Sequence, residues 1–219
     1  MELKGKKILF LGDSITEGHG VSCSENIYWQ VFGRKTGACV WADGIGGTRI
    51  APQRTPEREG CERFARYFGS RVADMPAEAD AVVVFGGTND FGHGDAPLGQ
   101  MSDREETSFY GSLHCLYRKL LEKYPTAELV VMTPLHRGGE EDPVNNWGVR
   151  NVTNLHGYVQ AIREVAEYYG LPLLNLFAMG GMQPRVKIIQ ETLMPDGLHP
   201  NDLGHARIAS RLEGFLRTL

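Results

Sequence analysis

Acyl transfer needs a nucleophile, a base, a group that orients the base, and donors for an oxyanion. Residues of all four kinds occur in this sequence. Ser14 follows the apolar run Lys7–Leu11 and the pair Gly12-Asp13. It stands at a predicted helix start, where its own N–H can point into a site and the helix dipole favours a developing negative charge. Asp196 and His199 are three residues apart, with Gly197 permitting a tight turn between them. At that spacing the carboxylate can reach the imidazole, hold its orientation and stabilise the imidazolium formed when the base takes a proton. Pro200 biases His199 toward extended backbone, and Asn201 can cap the helix that follows. Asn89 offers a side-chain amide donor, and Gly47 a backbone N–H with no Cβ in the way.

These residues are far apart in the chain, so strands and helices must bring them together. Apolar runs predict strands over Lys7–Leu11, Ala38–Ala42, Ala81–Phe85, Glu128–Thr133 and Leu173–Leu176. Helices are predicted over Tyr28–Lys35, Glu62–Met75 and Thr107–Tyr124, the last capped by Asp103 or Thr107. Leu155, Val159, Ile162, Ala166 and Tyr169 mark another helix, and the final one runs from Asn201. The strands are continuously apolar, so both sheet faces are covered. This is the pattern of an open parallel sheet with helices on both sides. In such sheets ligands bind beyond the carboxyl ends of the strands. The residues that follow the five strands are Gly12-Asp13-Ser14, Asp43 to Gly47, Gly86 to Asp90, Pro134-Leu135-His136 and, further on, Asp196 to His199. Polar and glycine residues thus converge on one sheet edge from five places. The irregular stretch from His136 to Thr153, with Arg137, Glu140, Glu141, Asp142, Trp147 and Arg150, is long for a compact domain and so a functional or mobile loop. His136, Trp147 and Arg49 are candidates for a substrate pocket, and each has an equally good reading as a packing or surface residue.

Composition narrows the class. The 219 residues carry a formal net charge of −4, are 42% hydrophobic and 23% charged, and suit one domain spanning 1–219. No basic block argues for nucleic acid, and an acidic chain has no electrostatic reason to sit on an anionic membrane. No stretch nears the roughly 18 apolar residues of a membrane span, and no signal peptide is read at the N-terminus. Cys23, Cys39, Cys61 and Cys115 form no CxxC pair and read as free thiols, which points to a cytoplasmic location. Cys115 beside His114 reads as a structural cysteine. Asp13, Asp90, His93, Asp95 and His199 match no metal-ligand spacing, and Gly44–Gly47 fits neither a P-loop nor GxGxxG, so no metal or nucleotide is expected. No Gly-x-Ser-x-Gly elbow occurs. Asp13 and Asp90 are expected to bond backbone N–H groups in their loops.

Four blocks, Gly12-Asp13-Ser14-Ile15, Gly47, Gly87-Thr88-Asn89-Asp90 and Asp196-Gly197-Leu198-His199-Pro200, resemble those of the SGNH hydrolases, the GDSL esterases and lipases, in the family's order. The resemblance spans nearly the whole chain. It implies a flavodoxin-like three-layer α/β/α sandwich with a parallel five-stranded sheet in the order 2-1-3-4-5. It implies Ser14 as nucleophile, Asp196 and His199 as the rest of the triad, and an oxyanion hole from Ser14, Gly47 and Asn89, with no cofactor. The family's glycine block often begins with Asn, where this chain has Ala42-Asp43, so Gly46 is the alternative donor. The function implied is hydrolysis of carboxylic esters; the small size of the chain and the lack of a long apolar lid point to a short acyl group, such as acetyl on a sugar. Lipase, thioesterase or acyltransferase activity, or a non-catalytic binding module on the same fold, are the alternatives. Oligomeric state is not readable from the sequence.

Overall fold

The computed structural model describes residues 1–55, 62, 65–146 and 148–219. Five parallel strands form one sheet in the order β2-β1-β3-β4-β5: β1 is Lys7–Gly12, β2 Cys39–Gly44, β3 Ala81–Phe85, β4 Glu128–Met132 and β5 Leu173–Leu174. The chain steps from β1 to β2 on one side, then crosses back to β3 on the other. The crevice at that reversal lies beyond the carboxyl ends of β1 and β3. Registers Leu11↔Asp43 and Leu11↔Val84 hold the three strand ends level.

Successive side chains on a strand point to opposite faces, and each face builds its own core. Leu9, Leu11, Val82, Val84, Leu129 and Val131 pack with Phe68, Phe109, Leu113, Leu116, Val159 and Ile162. These come from helices α3 (Phe68–Arg71), α5 (Phe109–Lys123) and α6 (Leu155–Tyr168). Ile8, Phe10, Val83, Phe85, Val130 and Met132 pack with Tyr28, Phe32, Ile208, Leu212 and Leu216, on α2 (Tyr28–Thr36) and α9 (Asp202–Leu216). The result is the three-layer α/β/α sandwich.

The helix expected over 62–75 is shorter. The backbone N–H of Phe68 is pinned across the chain to the Arg49 carbonyl at 2.9 Å, so α3 begins only there and continues as a 3₁₀ turn, Val72–Asp74. Residues 63 and 64 of that expected helix, and Cys61, lie outside the described residues. The cap of α5 is Ser108, whose Oγ accepts from Gly111 N at 3.2 Å. Asp103 acts one step behind it, accepting the Ser108 hydroxyl at 2.6 Å. Strand β5 stops at Leu174 because the Asn175 side chain caps a short helix, α7 (Leu176–Met179). Asn201 caps α9 as expected, accepting from Leu203 and Gly204. Two more short helices, α1 (Ser14–Glu17) and α4 (Thr88–His93), begin at the ends of β1 and β3, and α8 (Lys187–Leu193) precedes the Asp196 turn. Cys23 and Cys39 are exposed free thiols and Cys115 a buried one. Among the described residues no helix is long and apolar enough to cross a membrane.

Candidate active site

Ser14 is the first residue of α1. Asp13 caps that helix, its Oδ1 accepting from Ile15 N at 3.1 Å. Burial pushes the Asp13 carboxyl up to about 7, against the pull of that N–H and of Arg71. The cap turns the chain sharply and presents the Ser14 hydroxyl above the sheet. Gly197 takes φ +77, which closes the turn between Asp196 and His199. Asp196 Oδ1 accepts from Leu198 N and His199 N at 2.8 and 2.7 Å, and Oδ2 meets His199 Nδ1 at 2.6 Å. Burial alone would raise the Asp196 pKa, but the bonds from His199 and Leu198 outweigh it and hold the carboxyl below its ordinary range. An ionised carboxylate only accepts, so Nδ1 carries the proton. In the neutral ring Nε2 is then the acceptor, and it stands 3.0 Å from Ser14 Oγ.

The loop after β2 crosses over α1. At Gly44 an added Cβ would lie 2.3 Å from Glu17 N, so only glycine permits the approach. The N–H of Gly46 donates to Glu17 Oε2 at 2.7 Å. Gly47 takes φ +77, and among the described residues nothing accepts its N–H or that of Ser14. Asn89, buried on α4, donates one Nδ2 hydrogen to the Thr48 carbonyl at 3.0 Å, which orients the amide and leaves its second hydrogen. Asp90 beside it accepts from Ile50 and Ala51 N, tying α4 to the exit of the glycine loop.

These groups open on a cleft of about 300 Å³ lined by Ser14, Glu17, His19, Gly46, Gly47, Asn89, His93, Arg137, Asn146, Leu198 and His199. The structure therefore brings Ser14, Gly47, Asn89 and His199 to one cavity, with Asp196 behind the imidazole. Two pocket candidates fall elsewhere. Arg49 is buried behind the loop, donating to the Gly47 carbonyl at 3.1 Å and to His93 Nδ1 at 2.9 Å. Its charge is drawn inward by these acceptors. His136 packs at a tilt against Phe177 and meets Glu140 at 2.8 Å, beside another, smaller cavity that Asp13, Ile15 and Pro134 also line. Trp147 lies outside the described residues.

Sequence reasoning did not single out Glu17, His19 or Asn146 as cleft residues, and it weighed His93 only as an imagined metal ligand. Burial and the charges of Arg49 and Arg137 press His93 down to about 4. Because Arg49 can only donate, the neutral His93 ring carries its proton on Nε2. Also missed was Arg71, fully buried beneath the site. It donates to the Asp43 and Gly12 carbonyls at 3.0 Å each and to Thr48 Oγ1 at 3.2 Å, and pairs with the Asp43 carboxylate. No local signal marks it, since its partners lie far away in the chain, at the end of β1 and at the end of β2 with the loop that follows.

The model of the GDSL-like Lipase/Acylhydrolase family matches residues 10–207. A solved protein from Lactobacillus plantarum is 30% identical, with a TM-score of 0.81, covering 99% of this chain and 98% of its own. A possible lipase from Chitinophaga pinensis is 20% identical, with a TM-score of 0.67 and coverage of 97% and 98%. The acetyl xylan esterase AlAXEase is 20% identical, with a TM-score of 0.62 and coverage of 95% and 98%. A comparison with curated proteins gives no match.

Proposed function

The chain belongs to the GDSL-like lipase/acylhydrolase family, and we propose that it is a serine esterase that hydrolyses short-chain carboxylic esters through an acyl-enzyme on Ser14. The observation that carries this reading is the unbroken relay of hydrogen bonds, 2.6 Å from Asp196 to His199 and 3.0 Å from His199 to Ser14, inside an open cleft.

His199 Nε2 takes the Ser14 proton as Oγ attacks the ester carbonyl. The imidazolium is held by the ionised Asp196. The N–H groups of Ser14 and Gly47 and the free hydrogen of the Asn89 amide receive the tetrahedral oxyanion. His199 returns the proton to the departing alcohol, and water repeats the sequence on the acyl-enzyme. The size and chemistry of the cleft support a short acyl group and a polar alcohol. Leu198 is the one large apolar side chain among its described lining residues. The likeness to AlAXEase, named for acetylated xylan, fits an acetyl ester of a carbohydrate.

The test is hydrolysis of p-nitrophenyl esters from acetyl to decanoyl by wild type and Ser14→Ala. Activity that falls with chain length and vanishes in the variant is expected. Equal rates in the two proteins, or failure of a fluorophosphonate to label Ser14, would refute the nucleophile.

A further inference from the structure

Arg137 puts a fixed positive charge into the cleft, and no ion pair neutralises it among the described residues. Its Nη1 donates to the carbonyl and hydroxyl of Thr88 at 3.1 and 3.2 Å, and its Nε to the Gly138 carbonyl at 3.4 Å. Nη2 has no acceptor among the described residues, so its two hydrogens remain for a ligand. The guanidinium is held rigidly. It lies against Gly92 of α4, where an added Cβ would come within 2.5 Å of Nη1. Its Cζ lies 5.8 Å from the ring centre of Phe91, also on α4.

The carboxylates near it are engaged elsewhere or distant. Asp196 is committed to His199. Glu140 accepts from His136, Gln183 and the Arg137 backbone N–H. Asp13 is bound to Ile15 and pushed toward its neutral form. Asp142 is exposed, and it lines a second, polar cavity of about 140 Å³ that shares Arg137 and Asn146 with the cleft. Burial lowers the guanidinium below its ordinary pKa while those carboxylates pull it back. Arginine stays charged through such shifts.

From this arrangement we infer that the cleft binds substrates bearing a carboxylate, seated on Arg137 Nη2, next to the ester that Ser14 attacks. A planar guanidinium with open N–H groups pairs best with a carboxylate, and partial exclusion of water strengthens the pair. Neutral sugar oxygens would use the hydrogen bonds and leave the charge unmatched. At the same cleft Glu17 would repel a carboxylate, which directs it to the Arg137 end. The inference rests on the esterase reading for its reaction but not for its binding step.

The experiment uses Ser14→Ala protein, which binds esters without turnover, and two matched pairs. 4-Acetoxybenzoate against 4-acetoxybenzamide places the charge on the alcohol side. Monophenyl succinate against phenyl succinamate places it on the acyl side. Calorimetric titration should show at least tenfold tighter binding of the carboxylate in one pair, falling as salt rises. That preference should drop below threefold in Ser14→Ala/Arg137→Gln. Asn146→Asp in the Ser14→Ala background, which sets a negative charge at the same end without touching the Thr88 bonds, should also reduce it severalfold. Equal binding within both pairs, no binding of either carboxylate, or a preference that survives Arg137→Gln would overturn the inference. Wild-type hydrolysis of the neutral esters would then still uphold the esterase reading. Conversely, a carboxylate preference in a wild type that hydrolyses none of the four esters would sink the esterase reading alone.

Discussion

The Glu17 carboxylate accepts the Gly46 N–H at 2.7 Å, and so the next amide along, Gly47, is the one that nothing among the described residues accepts from. A charge-assisted bond of this kind is worth about 1.5–3 kcal/mol. It fixes the glycine loop over α1 at the point where two glycines compete for the same role.

Removing that anchor should loosen the oxyanion loop and leave the fold intact. Glu17→Ala is expected to lower kcat on p-nitrophenyl acetate about tenfold. Labelling of Ser14 by a fluorophosphonate should slow in parallel, with Tm falling by several degrees and the fold retained. An unchanged kcat would mean that the loop holds its own shape.

The sequence carried much of the site because its chemistry is local. Ser14 follows a strand and its capping aspartate directly, and Asp196 and His199 share one turn. The strands were legible because both sheet faces are buried, leaving uninterrupted apolar runs such as Ala81–Phe85. What the sequence concealed is tertiary. Arg71 sits in a stretch that reads as a helix, yet its guanidinium passes beneath the sheet edge to the end of β1 and to the end of β2 with the loop that follows it. Arg49 and Arg137 are both arginines near glycines. Only packing decides that one turns behind the loop and the other lines the cleft. The helix expected from Glu62 begins at Phe68 because a distant carbonyl, that of Arg49, claims its first N–H.

Asp13 predicts a pH dependence of stability. Its carboxyl titrates at about 7 in the folded protein and near about 4 when unfolded. Between those values the folded state holds a proton the unfolded chain has released. The contribution is complete below about 4 and lost as pH rises to about 7. Asp90, pushed up to about 6, acts in the same sense. His93 and His205, both pressed down to about 4, act oppositely, because the unfolded chain takes up their protons first as pH falls below about 6.5. Asp13→Asn isolates one contribution, since an amide oxygen can still accept from Ile15 N and never ionises. The Tm of the variant minus that of wild type should rise by several degrees between pH 4 and pH 8. A difference constant with pH would show that Asp13 titrates as an ordinary carboxylate.

Gly20 bears on the placement of His199. It takes φ +91, and an added Cβ would lie 2.3 Å from the Pro200 carbonyl oxygen and 3.2 Å from His199 Cβ. The His19 ring beside it packs edge-on to His199 with centroids 5.2 Å apart. Gly20→Ala therefore pushes on backbone at the His199 turn and strains its own. The strained φ alone should cost about 1–2 kcal/mol of stability, the clash with the Pro200 carbonyl adds to it, and kcat should fall about tenfold. Thermal melts and p-nitrophenyl acetate kinetics read both effects. Wild-type kcat in a destabilised variant would separate the turn from the chemistry.

Arg71 joins the loops that carry Ser14 and Gly47, through the Gly12 carbonyl on one side and Asp43 and Thr48 on the other. A methionine there would fill similar volume but take a donor from the Gly12 and Asp43 carbonyls, the first of which keeps the Ile45 N–H, and leave the Asp43 carboxylate without its cation. Breaking a buried pair from one side costs roughly 3–5 kcal/mol. Asp43 keeps some access to water, so the low end of that range is expected for Arg71→Met. The double variant Asp43→Asn/Arg71→Met should recover part of the loss, because it removes the unpaired charge. Activity follows a different rule. Both variants lose the Arg71 tie between the two loops and keep only the Glu17–Gly46 and Gly12–Ile45 bonds, so kcat should stay depressed about tenfold even where Tm recovers. Denaturant melts and single-turnover acylation of Ser14 distinguish the two effects. If Tm and acylation rate recover together in the double variant, Arg71 supports the fold alone and does not set the spacing between Ser14 and Gly47.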